Sequence, residues 1–196
     1  MEYLTAWIFE NWIELSGALI SLVYLFFSYK QIIWLWPFGL LSAIFYIWIY
    51  YFSGFYADMS LQIYYVFVSI YGWYHWTSGK SGSQKPLLKV SQINRRSMVV
   101  LTFVFGLLWL IISQVLIHYT DSQVPVMDAL TTAGGIVATW MLARKVLEHW
   151  LLWVVIDLIS MGLYLYKELY ATAILFLIYS IVAIAGYQAW KKTMAE

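Results

Sequence analysis

The sequence predicts an all-α membrane protein with seven transmembrane helices in a 3+1+3 arrangement, in which one helix separates two three-helix repeats. Three observations lead to this prediction. The chain of 196 residues is 63% hydrophobic and 11% charged, whereas soluble domains are about 45–50% apolar and about 25% charged. Apolar stretches of membrane-crossing length follow one another along the chain. Landmark residues recur at one constant offset.

The apolar stretches each approach the roughly 20 residues that cross about 30 Å of hydrocarbon at about 1.5 Å per residue. Glycine and proline interrupt several of them, which membrane helices tolerate when neighbouring helices satisfy the freed backbone groups. Together the stretches make one transmembrane domain. The seven predicted spans are 13–29, 32–52, 58–77, 97–118, 127–143, 149–166 and 169–190.

Residues 14–76 and 128–190 are predicted to be two copies of one unit. Six landmarks recur at an offset of 114 without a gap. Repeated halves of a membrane chain commonly enclose a substrate site at their interface, so this pattern favours a transporter. The matching landmarks are Lys30 with Arg144, Trp36 with Trp150, Tyr50 with Tyr164, Tyr56-Ala57 with Tyr170-Ala171, Gly72 with Gly186, and Trp76 with Trp190.

Lysine and arginine fall almost entirely on one side of the predicted membrane. Of the 11 in the chain, only Lys167 lies on the other side. Because positive loops stay cytoplasmic, we expect the N-terminus outside and the C-terminus in the cytoplasm. A three-helix unit ends on the side opposite to its start. The unrepeated span 97–118, entered through the basic linker 77–96, therefore gives both repeats the same orientation, as parallel repeats require.

Asp157 is the strongest candidate for function, because no other acidic or basic residue lies deep in a predicted span. An Asp at a helix centre costs about 2.5–3.5 kcal/mol on insertion scales and usually faces protein or a wet cavity on a transport pathway. A carboxylate in low dielectric would attract a cationic ligand strongly. The alternative interpretation is a hydrogen-bonded Asp that joins helices.

Groups suited to a flat cationic ring share the helical face of Asp157 or recur in the third span. Trp153 lies four residues before Asp157, on the same face, and aromatic faces attract cations by about 0.5–2 kcal/mol each. Polar residues in the third span either orient a bound amide or amine, or join helices. Pro37 and Gly39 are hinge candidates. The predicted substrate-binding residues are Asp157, Trp153, Gln62, Tyr65, Ser69, Ser160 and Tyr164.

Several other chemistries find no support in the sequence. It contains no cysteine and no hydrolase or zinc-protease motif, and Gly79-Lys80-Ser81 lacks the earlier glycine of a phosphate-binding loop. The three histidines lie near span ends on both sides, where they cannot converge on a metal. We expect no enzyme, no cofactor, no metal and no nucleic-acid partner. A proton- or ion-coupled transporter that uses Asp157, or a channel, stays open as an alternative to a facilitator.

Four motifs then carry a family resemblance: Pro37-Phe38-Gly39, Tyr56-Ala57-Asp58 with Leu61-Gln62, Tyr71-Gly72-Trp73-Tyr74 with Trp76, and Trp150-Leu151-Leu152-Trp153 followed by Asp157. Over residues 14–192 the chain resembles the PnuC family of bacterial vitamin transporters. This implies a fold like a full-length SWEET transporter, and facilitated diffusion across the inner membrane followed by trapping through a cytoplasmic vitamin kinase. It also implies that a Trp-x-x-x-Asn pattern, here Trp153 and Asp157, lines the site with Gln62 and Tyr65.

Two departures from the family bear on the vitamin. Nicotinamide riboside members have Asn where this chain has Asp157, and a second Asn where it has Leu35. The runs 138–145, 148–150 and 70–76 are more similar to the thiamine branch, PnuT. Since both vitamins are cations, the resemblance implies uptake of a cationic B vitamin, with thiamine slightly favoured and nicotinamide riboside as the alternative. The sequence leaves the oligomeric state open, a homo-oligomer included.

Overall fold

The described part of the chain forms seven α-helices. The computed structural model describes residues 12–53, 56–78 and 88–195. The expected all-α class is confirmed, since the described residues contain no strand beyond one isolated bridge between Ser91 and Val146. The helices are α1 Trp12–Tyr29, α2 Leu35–Ser53, α3 Tyr56–Thr77, α4 Arg95–Tyr119, α5 Pro125–Ala143, α6 His149–Tyr166 and α7 Tyr170–Ala195.

Each predicted span coincides with one helix. The helices α4, α5, α6 and most of α7 are long and apolar enough to cross a membrane, and the described parts of α1 and α2 include shorter apolar segments. Large apolar side chains cover the outside of the bundle, with Phe103 73% exposed and Phe67 67% exposed. Such a surface suits lipid rather than water, and the chain is a multi-pass membrane protein.

The turns that follow α1 and α5, which are 114 residues apart, have the same backbone conformation. Gln31 and Lys145 occupy the left-handed region with φ of 54° and 51°. The next residue donates its N–H to the carbonyl five positions earlier, at 2.8 Å after α1 and 3.0 Å after α5. This closure satisfies the last carbonyls of a helix, so both first helices of the predicted repeats end in the same way.

Tryptophans at the landmark positions also pack alike. Trp36 lies edge-on to Trp76, with ring centroids 5.5 Å apart and an interplanar angle of 87°. Trp150 meets Trp190 in the same manner at 5.8 Å and 85°. Edge-to-face packing favours aromatic pairs through the ring quadrupole. All four indoles are buried and belong to one hydrophobic core.

Two glycines allow these tryptophans to approach the helix backbone. A Cβ added to Gly72 would lie 2.5 Å from the ring of Trp36, and one added to Gly186 would lie 2.7 Å from the ring of Trp150. Real carbon contacts are not that short, because attraction turns to repulsion below about 3.5 Å. The close packing of the indoles therefore explains why glycine occupies both positions.

Trp76 and Trp190 each also donate a hydrogen bond to the C-terminal end of another helix. Trp76 Nε1 donates to the carbonyl of Ala143 at 3.2 Å. Trp190 Nε1 is shared between the carbonyls of Ser28 at 3.2 Å and Tyr29 at 3.3 Å. These bonds accompany the packing of α3 on α5 and of α7 on α1. The helix α4 packs only on α5 among the described helices.

The segment before α4 is held against the turn between α5 and α6. The N–H of Ser91 donates to the carbonyl of Lys145 at 3.0 Å, and the carbonyl of Ser91 accepts from Leu147 at 2.8 Å. The N–H of Ile93 donates to the Glu148 carboxylate at 2.9 Å. We call this end of the bundle, where α1, α3, α5 and α7 terminate, the basic end. It carries Lys30, Lys89, Arg144, Lys145 and Lys191.

Candidate functional site

The carboxylate of Asp157 lies inside the bundle. Asp157 is 4% exposed. On the adjacent turns of α6, Ser160 is 6% exposed and Trp153 is half-buried. The lipid-facing positions of the same helix are apolar, with Val155 54% exposed. The helical period therefore separates a polar stripe facing protein from an apolar stripe facing outward. Asp157 does not face the lipid.

Tyr179 of α7 connects Asp157 to the first helix. Its hydroxyl shares a hydrogen bond with the side chain of Ser21 and lies close enough to Asp157 to interact with it electrostatically. A phenol from α7 therefore lies within electrostatic range of the carboxylate, and a side chain of α1 is hydrogen-bonded to that phenol. The sequence reasoning did not select Tyr179, although Tyr65 recurs there at the same offset of 114, which was a signal that could have identified it.

Gly135 of α5 marks the place where Trp153 and Tyr65 meet. A Cβ added to Gly135 would lie 3.6 Å from the indole of Trp153 and 3.8 Å from the hydroxyl of Tyr65. One position earlier along α3, the hydroxyl of Tyr64 donates to the carbonyl of Ile136 at 2.7 Å. Two of the predicted site residues, from α6 and α3, are therefore brought together against the backbone of α5.

Tyr24 of α1 is a second residue that the sequence reasoning missed. It lies near Tyr65 and Tyr64, and its ring would lie 3.4 Å from a Cβ added to Gly39. The hydroxyl of Ser69 would lie 3.3 Å from the same atom. Gly39 is thus the point of contact between α1, α2 and α3. A tyrosine in an apolar span gave no signal of its own in a chain with 17 of them.

The remaining predicted residues are spread along the bundle. Gln62 is half-buried, one turn before Tyr65 on α3. Tyr164 stacks on Phe176, with ring centroids 5.1 Å apart and an angle of 21°, and interacts with Asp128. Tyr164 is two helical turns, about 10 Å, from Asp157. It therefore belongs to the end of the bundle opposite to the basic end, where Lys167 pairs with Asp128 at 3.4 Å.

Pro37, the predicted hinge residue, lies in the first turn of α2. Proline is accepted there because first-turn N–H groups have no partner within the helix. The helix continues past it, since Phe38 donates its N–H to the carbonyl of Trp34 at 3.2 Å. A hinge role for Pro37 and Gly39 stays a prediction.

At the centre of the bundle, residues related by the offset of 114 differ in the size of their side chains. Gly39 corresponds to Trp153, and Tyr24 corresponds to Ala138. The large side chain therefore comes from the first helix in one half and from the second helix in the other. Asp157 corresponds to Ala43, which is 2% exposed. The centre carries its carboxylate and indole on one side only.

Two cavities bordered by described residues lie away from this cluster. One of about 390 Å³ lies on the outside of the bundle, between Tyr64, Arg96 and Trp140. Another, of about 570 Å³, lies at the basic end beside Gln31 and Lys145. Neither borders Asp157 or Trp153. Among the described residues, no three His, Cys, Asp or Glu side chains are grouped to hold a metal.

A multi-pass helical bundle with a carboxylate buried among aromatic and hydroxyl groups fits a membrane transporter, and the comparisons with known proteins show that the chain is of this class. The family profile described as nicotinamide mononucleotide transporter matches residues 11–192. The chain belongs to this family, whose members include the PnuC proteins. It is a transporter of the inner membrane and not an enzyme.

Curated relatives cover almost the whole chain. The nicotinamide riboside transporter PnuC of Escherichia coli K12 is 26% identical over 95% of this chain and 87% of its own length. The riboflavin/roseoflavin transporter RibM of Streptomyces davaonensis is 24% identical over 91% and 84%. The PnuC of Neisseria mucosa is 23% identical over 93% and 73%.

A solved structure shows the same fold. The crystal structure of the vitamin B3 transporter PnuC superposes with a TM-score of 0.74 and covers 99% of this chain and 86% of its own. The sequences are 20% identical, so this likeness concerns the fold alone.

Proposed function

We propose that the protein takes up a small cationic B vitamin by facilitated diffusion, with thiamine favoured and nicotinamide riboside as the alternative. Phosphorylation by a cytoplasmic kinase then traps the vitamin. The observation that carries this proposal is the burial of Asp157, which is 4% exposed beside Tyr179. The relatives, two nicotinamide riboside transporters and one riboflavin/roseoflavin transporter, support a vitamin as cargo.

The proposed architecture has two parallel repeats, 14–76 and 128–190, around the site, with α4 as the spacer between them. The recurrence of turns, indole pairs and glycine contacts at the offset of 114 supports it. The peripheral position of α4, which contacts only α5 among the described helices, also supports it. Since positive charge gathers at the basic end, we place that end in the cytoplasm and the N-terminus outside.

Within the site, Asp157 is proposed to pair with the positive ring of the vitamin, while Trp153 supplies an aromatic face. At an effective dielectric constant of about 20, opposite charges about 4 Å apart attract by about 4 kcal/mol. Gln62, Tyr65, Ser69 and Ser160 are proposed to hydrogen-bond the rest of the vitamin, and Tyr164 to line its path toward the opposite end. A formal charge at residue 157 favours a permanently cationic ring over a neutral one.

Titration of the purified protein with thiamine and nicotinamide riboside tests this proposal, with quenching of tryptophan fluorescence as the measurement. We expect saturable binding of both, tighter for thiamine. Asp157→Asn should weaken thiamine binding at least about tenfold, equal to about 1.4 kcal/mol. Asp128→Asn is the matched control, because it removes a carboxylate already paired with Lys167. A folded protein that binds neither vitamin would refute the proposal.

A further inference from the structure

The larger cavity, about 570 Å³ in volume, is a candidate for a second ligand site, and we call it the basic cavity. It is bordered by the turn after α1, the end of α3, the segment before α4, the turn after α5 and the end of α7. Two lysines, a carboxamide and a hydroxyl line it, and none of its described lining residues is acidic. Its lining consists of Gln31, Ile32, Ile33, Trp76, Leu88, Lys89, Val90, Lys145, Thr193 and Met194.

Contacts within the fold hold the Lys145 ammonium in place at the cavity wall. Its Nζ donates to the carboxamide oxygen of Gln31 at 3.2 Å and lies 4.3 Å from the centroid of the Trp76 ring. Lys89 reaches the cavity from the other side, two residues before Ser91, whose two backbone bonds to Lys145 and Leu147 fix that segment. Positive charge therefore faces the cavity from two separate elements.

Comparison of the two halves indicates that an oxygen acceptor fits here. After α5, the N–H of Leu147 donates to the carbonyl of Ser91 at 2.8 Å. The residue 114 positions earlier is Ile33, which lines the basic cavity. Among the described residues, no backbone carbonyl outside the regular helices accepts a hydrogen bond from the N–H of Ile33. The same backbone N–H therefore donates to a linker carbonyl in one half, whereas in the other half it belongs to a residue that lines the basic cavity.

We propose that the basic cavity binds a phosphate-bearing anion. Phosphate oxygens are strong acceptors that suit ammonium and amide donors together, and the volume exceeds that of a single phosphate, with apolar walls for an attached organic group. The anion would bridge the turn after α1 to the turn after α5. Such a bridge joins residues from both predicted repeats, and its binding should hold the basic end closed and slow uptake.

The phosphate has two candidate sources, a free phosphorylated metabolite and a phospholipid headgroup. A phosphorylated form of the transported vitamin would make the site a feedback device, and this last identification rests on the proposed function. The binding of phosphate itself does not, so the site is tested without any vitamin.

Isothermal titration of the detergent-purified full chain with inorganic pyrophosphate tests the proposal. We expect saturable binding that weakens with added salt, because exposed charges are screened. Lys89→Gln and Lys145→Gln should each weaken it by about tenfold, the loss of one charge-assisted hydrogen bond. Lys30→Gln is the matched control: Lys30 lies at the same end, over the ring of Tyr29, and does not line the cavity. Melting temperatures verify that each variant is folded.

The source is distinguished in lipid nanodiscs. Pyrophosphate binding that persists in phosphatidylcholine discs indicates a free anion. Stabilisation of the wild type, but not of Lys89→Gln, by phosphatidylglycerol without pyrophosphate binding indicates a headgroup. Absence of both effects, or pyrophosphate affinity unchanged in both Lys89→Gln and Lys145→Gln, overturns the proposal. Vitamin binding measured on the same protein reports independently on the central site.

Discussion

The indole of Trp76 donates its N–H to the carbonyl of Ala143, the last residue of α5, at 3.2 Å. The bond joins α3 to a helix that begins 48 residues after α3 ends. Trp190 makes the corresponding bond to the end of α1. The C-terminal end of a helix has unpaired carbonyls. At the ends of α5 and α1, a tryptophan far away in sequence donates to one of them.

Replacement of either tryptophan by phenylalanine should destabilise the fold. The loss of the N–H leaves a buried carbonyl without its donor and costs about 1–3 kcal/mol. Because the rings of Trp76 and Trp190 lie 6.3 Å apart, the double variant should not show the sum of the single effects. Thermal unfolding in detergent measures this, with Trp34→Phe as the control, since Trp34 is 59% exposed. Unchanged melting in Trp76→Phe would contradict a stabilising role.

Alanine at the two glycines that face tryptophan should be poorly tolerated. Gly72→Ala and Gly186→Ala place a Cβ at 2.5 Å and 2.7 Å from buried indoles, and overpacking of this kind costs about 1–3 kcal/mol. Gly106→Ala and Gly162→Ala are the controls, because nothing lies within 4 Å of their added Cβ. We expect lower melting temperatures for the first pair only. Equal behaviour of all four would show that the indoles move aside without cost.

Tyr179→Phe should weaken vitamin binding without unfolding the protein. The change removes the hydroxyl that bonds with Ser21 beside Asp157 and keeps the ring. A loss of about 1 kcal/mol, or roughly fivefold in affinity, is typical of one neutral hydrogen bond. Ser21→Ala should give a similar loss, since it frees the same hydroxyl to turn away from the carboxylate. Tyr166→Phe, at a residue 71% exposed, should bind like the wild type, and a wild-type affinity in Tyr179→Phe would remove Tyr179 from the site.

Uptake should follow the vitamin gradient without a proton gradient. Asp157 is the only carboxylate in the core of the described bundle, so it has no neighbouring acid with which to relay protons. In liposomes with the membrane potential clamped at zero, we expect the same initial rate with and without an imposed pH difference. Empty liposomes give the background. A rate that rises with an inward proton gradient would favour the coupled transporter instead.

The helices themselves were predictable because hydropathy is a local property. The seven apolar stretches match the seven helices of the described residues. The cost of a carboxylate in lipid predicted that Asp157 lies inside the bundle, and its burial confirms this. The offset that pairs Trp36 with Trp150 also pairs their contacts with glycine. These inferences needed only the length of a span and the period of a helix.

The neighbours of Asp157 were not predictable in the same way. Tyr24 and Tyr179 resemble many other tyrosines in the sequence, and only the packing of α1 and α7 against the other helices brings them to the centre. The pairing of Lys145 with Gln31 likewise depends on two turns meeting at the basic end. Basic residues near a span end are normally explained by membrane orientation alone.

The sequence by itself therefore determined, for the described part of the chain, a membrane-embedded bundle of seven helices with a recurring residue pattern and one buried carboxylate. The tertiary structure decided which aromatic and hydroxyl groups surround that carboxylate and where the second cavity opens. The physical reason is that burial along a helix follows from its own residues. The rotation and tilt of each helix, by contrast, are set by contacts with its neighbours.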